Sequence, residues 1–349
     1  MLDISAIDPN FKVETKIQEE NIRFYDVLQP PFSVHGVYYD DGKFRRLPEN
    51  IAKTVNQGVH NRHANAAGGR IRFQTDSPYV AIHVKMTGIG KMPHFALTGS
   101  AGFDLYVKVG EGQQYRGTFV PPFNITDGYE SVIRFPVTEM RDITINMPLY
   151  SDVCKLYIGL KEGAQIAPPE PYKHTTPIVY YGSSITQGGC ASRPGNAYQN
   201  IITRRLNTDH VNLGFSGSAK GEPEITDYIC KMDMSVFVYD YDHNAPTVEH
   251  LEKTHEKMYL SIRSAHPDLP VVMLSRPRAY LTEDEVKRRE IVRATYLNAK
   301  ARGENVYFIS GEELMQYAGD SGLVDGIHPN DLGFASMARV LGDLLETIL

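Results

Sequence analysis

Hydrophobic and polar residues alternate along much of the first half of the chain. In residues 70–86, apolar side chains occupy every second position on either side of the turn residues Asp76, Ser77 and Pro78. The same alternation recurs, with glycine, proline and asparagine in the gaps, in residues 102–109, 130–137, 142–150 and 153–160. A period of two is typical of half-buried antiparallel strands. Because no convincing helical period occurs between residues 70 and 165, the pattern predicts a β-sandwich or jelly-roll domain.

The second half of the chain follows a different rhythm. Segments of helical period alternate with short apolar runs, which cover residues 177–182, 210–215, 234–241, 269–275 and 305–310. In one of the helical segments, Leu251, Met258 and Ile262 share a face. Apolar strands separated by helices are typical of a parallel sheet that is covered by helices on both faces. The pattern therefore predicts a doubly wound α/β domain.

A proline-rich segment separates the two patterns. Residues 163–177 contain several prolines, which disfavour helix and stiffen the backbone. No internal repeat or low-complexity tract accompanies this change of pattern. We therefore place an N-terminal β-domain at residues 1–165, a linker at residues 166–176 and an α/β domain at residues 177–349.

Charge and cysteine content narrow the function classes. The 349-residue chain has a net charge of −6 and no block of like charge, which disfavours nucleic-acid binding. No apolar run reaches the ~18 residues that a membrane span needs, and the N-terminus lacks the features of a signal peptide. Three cysteines without CxxC spacing disfavour a disulfide framework and a structural zinc site. We expect a cytoplasmic protein, or a secreted one whose leader was removed, without cofactor or metal; homo-oligomerisation stays open.

Residues suited to nucleophilic catalysis lie where predicted strands end, the position at which doubly wound sheets carry reactive groups. Ser184 lies in a glycine-flanked turn after the first strand of the α/β domain, although such residues also form ordinary turns. Near the C-terminus, Asp325 precedes His328 by three residues, a spacing that lets a carboxylate orient an imidazole base. An isolated Asp-x-x-His could instead be a helix cap beside a surface histidine. The serine turn and this pair together predict a Ser-His-Asp triad.

Two further strand ends offer hydrogen-bond donors to an oxyanion. Gly217 follows the second predicted strand of the α/β domain, and Asn244 follows the third. A backbone N–H beside a small residue and an amide side chain are both suitable donors for the negative charge that develops during acyl transfer. Glycine and asparagine are also common turn formers. The predicted role therefore depends on how close these turns lie to Ser184.

Two competing chemistries would use other residues. A metal centre would draw on Asp240, Asp242, His243, His250 and His255. On a strand, however, His243 would point away from the two carboxylates, and histidines five residues apart lack the HExxH spacing. Cys190 is a weak candidate nucleophile because nothing in the sequence around it would lower a thiol pKa. We therefore expect neither a catalytic metal nor a cysteine nucleophile.

The residues at four strand ends resemble the four sequence blocks of the SGNH, or GDSL, hydrolase superfamily, in the order Ser184, Gly217, Asn244, and Asp325 with His328. This resemblance covers residues 177–349. In the first half, Gly-Phe-Asp-Leu-Tyr at residues 102–106 is similar to the GxDLY motif of the β-domain that precedes one SGNH esterase subgroup. Residues 182–190 and 242–246 also resemble that subgroup.

The resemblance implies a flavodoxin-like sheet and a serine esterase that needs no cofactor. Ser184 would be the nucleophile, His328 the base, and Asp325 the carboxylate that orients the base. The backbone amide of Ser184, Gly217 and Asn244 would form the oxyanion hole. The implied substrate is a carboxyl ester, with a small acyl group such as acetyl on a sugar hydroxyl.

The chain departs from the family pattern at two positions. Ser183 replaces the aspartate of G-D-S, and Asp242 replaces the glycine of G-x-N-D, of which only Asn244 is kept. Arg193 and Arg276 follow strand ends and are candidate substrate-binding residues, with a surface or ion-pair role equally open. Two alternatives remain, namely an esterase for other small acyl esters and a carbohydrate-binding protein without activity. The second should lack a triad residue, and none is missing.

Overall fold

The computed structural model describes residues 15–349. The first twelve strands are β1 (Ile22–Asp26), β2 (Ser33–His35), β3 (Tyr38–Asp40), β4 (Lys43–Arg45), β5 (Arg70–Thr75), β6 (Tyr79–Thr87), β7 (Phe103–Val109), β8 (Gly112–Phe119), β9 (Gly128–Arg134), β10 (Arg141–Asn146), β11 (Asp152–Lys161) and β12 (Ile166–Ala167). The last five are β13 (His174–Gly182), β14 (Thr208–Gly214), β15 (Val236–Asp240), β16 (Val271–Leu274) and β17 (Val306–Ile309).

Ten α-helices occur in these residues. They are α1 (Glu49–Val55), α2 (Gln57–Arg62), α3 (Leu97–Ser100), α4 (Ser184–Gln187), α5 (Tyr198–Leu206), α6 (Pro223–Ile229), α7 (Val248–Ala265), α8 (Glu283–Ala301), α9 (Gly311–Leu314) and α10 (Asp331–Ile348). Two short 3₁₀ turns cover Pro194–Asn196 and Gly319–Gly322. Within the described residues, no helix combines the length and apolar character that a bilayer span requires.

Two antiparallel sheets form the predicted β-sandwich. One sheet has the order β1-β11-β6-β9, and the other has the order β12-β5-β10-β7-β8 with β2 beside β5. Alternate residues of both sheets share one core, which includes Phe73 and Leu105 from one sheet and Ile82 and Ile158 from the other. The helix α3 lies within the region where the sequence shows no helical period. It was not predicted, because its four residues are too few for a helical period to show.

The second half of the chain forms the predicted doubly wound domain. Its five parallel strands have the order β14-β13-β15-β16-β17, which is the flavodoxin-like order. Both faces of the sheet are buried, since Ile178 and Tyr180 of β13 enter one core while Val179 and Tyr181 enter the other. The helix α10 packs on the first of these cores. The predicted fold class is therefore confirmed for both halves.

The helix pair α1–α2 links the halves in a way that hydrophobic periodicity did not indicate. Leu47, Ala52 and Val59 are buried in the same core as Val179 of the parallel sheet. This early segment therefore completes one face of the α/β domain, although it precedes most of the sandwich in the chain. Its helices are only seven and six residues long, too short to give a clear helical pattern.

The proline-rich linker is packed against the sandwich. Its residues Ile166 and Ala167 pair with β5 as a short edge strand. Tyr172 is buried, and the guanidinium carbon of Arg72 lies 4.0 Å from the centroid of its ring. Because the linker is held by both hydrogen bonds and a cation–π contact, it positions the start of β13 relative to the β-domain.

Arg46 joins the two domains through backbone carbonyl groups. Its guanidinium donates to the carbonyl oxygens of Asn65 and Arg62 at 2.7 and 2.8 Å, and to those of Asn212 and Gly214 at 3.1 and 2.6 Å. Burial lowers the pKa of Arg46 to about 9. The last two acceptors belong to β14, so one buried cation satisfies carbonyl groups on both sides of the domain contact.

Replacement of this cation should destabilise the whole chain. Arg46→Met keeps most of the apolar stem but leaves several buried carbonyl groups without a donor, each worth about 1–3 kcal/mol. We expect the free energy of unfolding, measured by urea titration, to fall by at least about 3 kcal/mol. The matched control is Arg116→Met at an exposed position, which should change it by no more than about 0.5 kcal/mol. Equal effects of the two variants would contradict a bridging role for Arg46.

Candidate active site

The turn after β13 places Ser184 at the middle of the parallel sheet. β13 pairs with β14 on one side and β15 on the other, so its carboxyl end opens into the crevice where the strand order reverses. Gly182 ends the strand, and a Cβ there would lie 2.3 Å from the Asp240 carbonyl oxygen, so only glycine fits. Ser183 caps α4 by accepting a hydrogen bond from the Ile185 N–H. Ser184 follows as the first helical residue and is 8% exposed.

The hydroxyl of Ser184 is the first member of a continuous chain of contacts. Ser184 Oγ lies 2.9 Å from His328 Nε2. On the other side of the ring, His328 Nδ1 lies 2.8 Å from Asp325 Oδ2. The structure thus brings together three residues that lie up to 144 positions apart in the chain. Their connectivity, hydroxyl to imidazole to carboxylate, is that of a nucleophile, its base and the group that orients the base.

The turn that carries His328 also holds Asp325 in its ionised form. Asp325 Oδ1 accepts the backbone N–H groups of Ile327 and His328 at 3.0 and 2.8 Å. Partial burial would raise the pKa of Asp325, but these hydrogen bonds and the one to the His328 ring lower it to about 2. The carboxylate is therefore charged at neutral pH and can stabilise an imidazolium.

The two candidate oxyanion donors lie on turns that flank Ser184. Gly182 pairs with Gly214 of β14 and is level with Asp240 of β15, so the three strand ends are adjacent. Gly217 follows β14 with a φ of +68°, and a Cβ there would meet no atom within 4 Å. Asn244 Nδ2 donates to the Phe215 carbonyl oxygen at 3.0 Å. Since an amide nitrogen carries two hydrogens, this bond fixes the side chain and leaves one hydrogen for a ligand.

A buried ion pair supports the Asn244 turn and explains the aspartate that replaces the family glycine. Asp242 accepts the backbone N–H of Arg276 at 3.2 Å and pairs with its Nε at 3.3 Å. The carbonyl oxygen of Asp242 also accepts hydrogen bonds from Arg276 and Arg288, at 3.2 and 2.9 Å. The turn is thereby fixed from the next strand end and from α8.

The same network continues to the turn that carries Asp325 and His328. Glu285 Oε1 accepts from Arg276 Nη1 at 3.1 Å and from Arg278 Nη2 at 3.0 Å. Arg278 Nη1 donates to the carbonyl oxygen of Gly326, which lies between Asp325 and His328 in the chain. Sequence reasoning missed Arg278 and Glu285, because only the folded chain brings them to this turn.

The loop after Ser184 is held by the β-domain. Asp104 is fully buried and accepts hydrogen bonds from the Gly195 N–H at 2.8 Å and from Asn146 Nδ2 at 2.7 Å. It also pairs with Arg193 Nη1 at 3.2 Å, and Arg193 donates to the Tyr106 hydroxyl. Asp104 is the aspartate of the Gly-x-Asp-Leu-Tyr motif. The motif therefore fixes the loop that follows Ser184.

Both arginines that were candidates for substrate binding form ion pairs within the protein. Arg193 pairs with Asp104, and its guanidinium carbon lies 4.0 Å from the centroid of the Tyr115 ring. The side chain of Arg276 is 11% exposed and is paired with Asp242. Because each arginine pairs with a buried carboxyl group, the geometry supports the ion-pair role that the sequence left open for both, and their part in substrate binding stays a prediction.

The residues of the competing hypotheses have partners of their own. His250 Nε2 lies 2.8 Å from the Lys220 carbonyl oxygen, and His255 Nδ1 lies 2.9 Å from the Thr295 hydroxyl. These two histidines therefore do not join the neighbouring aspartates as a ligand set. Burial, together with a nearby carboxylate, raises the pKa of the Cys190 thiol to about 12, so the thiol stays protonated at neutral pH.

Two side chains of the β-domain reach the site without any local sequence signal. Tyr150 lies between β10 and β11, and its hydroxyl donates to the Ser184 carbonyl oxygen at 3.2 Å. His94 precedes α3, and its ring centroid lies 5.6 Å from that of His328. Both contacts depend on how the two domains pack. No short motif could have indicated them.

Comparison with known families accounts for both halves of the chain. Residues 175–346 match the model of the GDSL-like lipase/acylhydrolase family. Residues 22–166 match the model of the GxDLY domain, which forms the N-terminus of SGNH-hydrolase-type esterases. A comparison with curated proteins found none that matches.

Solved structures share the complete two-domain arrangement. A protein described as a GDSL-like lipase from Bacteroides ovatus is 28% identical with a TM-score of 0.84, and the alignment covers 94% of this chain and 98% of that one. A salicylyl-acyltransferase from a tetracycline biosynthetic pathway is 19% identical with a TM-score of 0.76 and the same coverage. A family two carbohydrate esterase from Clostridium thermocellum is 14% identical with a TM-score of 0.63, covering 90% and 98%. The last two similarities show the fold alone.

These findings define the protein as an acylhydrolase, an enzyme of the esterase class. The chain belongs to the GDSL-like lipase/acylhydrolase family, in the SGNH subgroup whose catalytic domain follows a GxDLY domain. The resemblance drawn from the strand ends and from residues 102–106 is thereby confirmed.

The contact between Arg278 and Gly326 should matter for catalysis although neither group touches the reacting atoms. Arg278→Gln removes a donor that holds the Asp325–His328 turn, and we expect kcat for an aryl acetate to fall by about 10–100-fold with little change in KM, as small displacements of catalytic groups do. Arg278→Lys should recover part of the loss. The control is Arg289→Gln, on the same helix as Glu285. The Arg289 guanidinium pairs with Glu290 and Glu312. A kcat equal in the Arg278 and Arg289 variants would exclude a positioning role.

Proposed function

We propose that this protein is a serine esterase that hydrolyses carboxyl esters through an acyl-enzyme, with Ser184, His328 and Asp325 as its triad. The observation that carries this proposal is the continuous chain of contacts from Ser184 Oγ to His328 Nε2 at 2.9 Å and from His328 Nδ1 to Asp325 at 2.8 Å. A hydroxyl alone is a weak nucleophile at neutral pH, and this arrangement supplies the base that it needs.

In the acylation half-reaction, Ser184 Oγ attacks the ester carbonyl carbon as its proton passes to His328 Nε2. The ionised Asp325 stabilises the imidazolium that results. The backbone N–H groups of Ser184 and Gly217 and the amide of Asn244 would donate to the oxyanion of the tetrahedral intermediate. Collapse of that intermediate breaks the bond to the alcohol, which leaves with the proton held by His328.

Deacylation repeats the same sequence with water as the nucleophile. His328 Nε2 accepts a proton from the water as its oxygen attacks the acyl carbon, and the oxyanion donors act a second time. When the second intermediate collapses, the proton returns to Ser184 Oγ and the carboxylic acid is released. No step requires a metal or a cofactor, since the chain's own residues hold and move each proton.

For the substrate, we favour esters of small acyl groups, such as acetyl, on saccharide hydroxyls. Ser184 is only 8% exposed, which supports a compact acyl group at the nucleophile. Proteins described as family two carbohydrate esterases share the two-domain fold, and one of them was solved with cellohexaose. Esters of other small acyl groups are the second candidate, and a carbohydrate-binding protein without activity is the third.

Loss of the nucleophile should abolish turnover without loss of the fold. Because triad residues act as a unit, Ser184→Ala, His328→Ala and the double variant should all lose activity toward 4-nitrophenyl acetate by a similar factor, on the order of 10⁶ in kcat. The losses in the two single variants should not add in the double variant. Ser336→Ala, a buried serine on α10, serves as the control for an equally conservative change. Turnover by Ser184→Ala near the wild-type rate would contradict the triad.

The preference for small acyl groups can be measured directly. The test compares kcat/KM for 4-nitrophenyl acetate, butyrate and octanoate and for an acetylated xylo-oligosaccharide. A compact acyl site should lower kcat/KM by about tenfold or more from acetate to butyrate, since each methylene that a site excludes costs about 10–200-fold. Release of acetate from the oligosaccharide, absent in Ser184→Ala, would support the saccharide assignment. A higher rate for octanoate would reject the small-acyl assignment, and aryl esters cleaved without any deacetylation of the sugar would favour the second candidate.

A further inference from the structure

Three potential metal ligands from distant parts of the chain meet beside the nucleophile. His94, Cys190 and His328 each offer one ligand atom, and all of these atoms lie within 4.8 Å of one another. His94 comes from the β-domain, Cys190 from the loop after α4, and His328 from the turn before α10. The absence of CxxC or HExxH spacing does not bear on such a set, because its members are separated by more than 90 residues.

The β-domain holds the loop that carries Cys190 in place. The loop that carries Cys190 is held by a hydrogen bond from the Thr98 hydroxyl to the Ser192 carbonyl oxygen at 2.5 Å. A Cβ on Gly99 would lie 2.0 Å from the Ala191 carbonyl oxygen, so α3 packs directly against the same loop. His94 lies three residues before α3 in the chain and is exposed, which lets its side chain move toward the other two groups.

The chemistry of the set matches a borderline-soft divalent cation. One thiolate and two imidazoles are ligands that Zn²⁺ prefers, at about 2.3 Å for sulfur and about 2.0–2.1 Å for nitrogen. Such bond lengths require the three atoms to approach one another, and the exposed His94 can contribute by rotation of its side chain. On binding, the Cys190 thiol would release its proton to solvent, and the sulfur would donate a lone pair to the metal.

His328 has one ring nitrogen that is not held by Asp325, and it is the one that the proposed reaction uses. His328 Nδ1 is engaged by Asp325 at 2.8 Å, so a metal would bind at Nε2 in place of its contact with Ser184 Oγ, which is 2.9 Å long. A carboxylate on the far side of a ligating imidazole fixes its orientation and increases its basicity, as in carboxylate–histidine–zinc sites. A metal on Nε2 occupies the lone pair that must accept the Ser184 proton.

We propose that His94, Cys190 and His328 form a Zn²⁺ site whose occupation withdraws the catalytic base and reversibly inhibits the esterase. The binding part of this proposal stands on the three ligands alone. The inhibition part rests on the proposed role of His328 as base.

Binding is tested without any substrate. Isothermal titration of the metal-stripped full-length protein with ZnCl₂ should give one site, and Co²⁺ in its place should show a thiolate-to-cobalt charge-transfer absorption. Cys190→Ser should abolish that absorption, and both Cys190→Ser and His94→Ala should weaken Zn²⁺ binding by at least about tenfold, since even outer-shell partners are worth about 10–100-fold. Cys190→Gly provides a second variant suited to the left-handed backbone at this position, where φ is +76°. Cys230→Ser and His60→Ala are matched controls that should leave the site unchanged.

Inhibition is tested on the same proteins. Zn²⁺ should reduce hydrolysis of 4-nitrophenyl acetate, and the concentration for half inhibition should rise in the His94 and Cys190 variants by the same factor as the Kd. Each variant is compared with its own metal-free rate. Absence of Zn²⁺ binding, or binding and inhibition as strong in these variants as in the wild type, would overturn the proposal. If instead no ester were hydrolysed while the titration and cobalt results held, the esterase proposal would fail and the metal site would stand.

Discussion

The arrangement of the site depends on one buried carboxylate, that of Asp104. It accepts hydrogen bonds from Asn146 within the sandwich and from the Gly195 N–H in the loop after Ser184. A Cβ on Gly195 would lie 2.6 Å from Asp104 Oδ2, so the loop approaches only because that residue is glycine. Burial raises the pKa of Asp104 even though Asn146 and Arg193 favour its charged form. Without these partners, the buried carboxyl group of Asp104 would destabilise the fold. The Gly-x-Asp-Leu-Tyr motif and the loop after Ser184 therefore depend on each other.

The geometry of the candidate active site follows from the order of the parallel strands. β13 lies between β14 and β15, so the turns that carry Gly217 and Asn244 flank the one that carries Ser184. The departure from the family pattern at Asp242 has a local cause, since its carboxylate pairs with Arg276. Through Glu285 and Arg278 this pair connects the turn of Asn244 to the turn of His328. Asp242, which stands where the family has glycine, is thus part of the ion-pair network that holds these turns in place.

Much of this architecture was predictable from the sequence because it depends on short-range patterns. Alternation of apolar residues in stretches such as 70–86 and the apolar runs such as 177–182 are local signals of strand type, and both predictions of fold class hold. Glycine and serine at the end of β13 are likewise a local turn signal. By contrast, the packing of Leu47 into the α/β core and the contact between His94 and His328 are tertiary, and no period or spacing encodes them. The ion pair of Arg193 is tertiary for the same reason, since its partner Asp104 lies 89 residues away.

The central claim, that Ser184 is the nucleophile and that adjacent turns form its oxyanion hole, is tested most directly by a crystal structure of the protein after reaction with an alkyl phosphonate. The account predicts a covalent bond from phosphorus to Ser184 Oγ. The phosphoryl oxygen should lie about 2.7–3.1 Å from the N–H groups of Ser184 and Gly217 and from Asn244 Nδ2. A protein that stays unmodified, a bond to another residue, or a phosphoryl oxygen that points away from these donors would contradict the account.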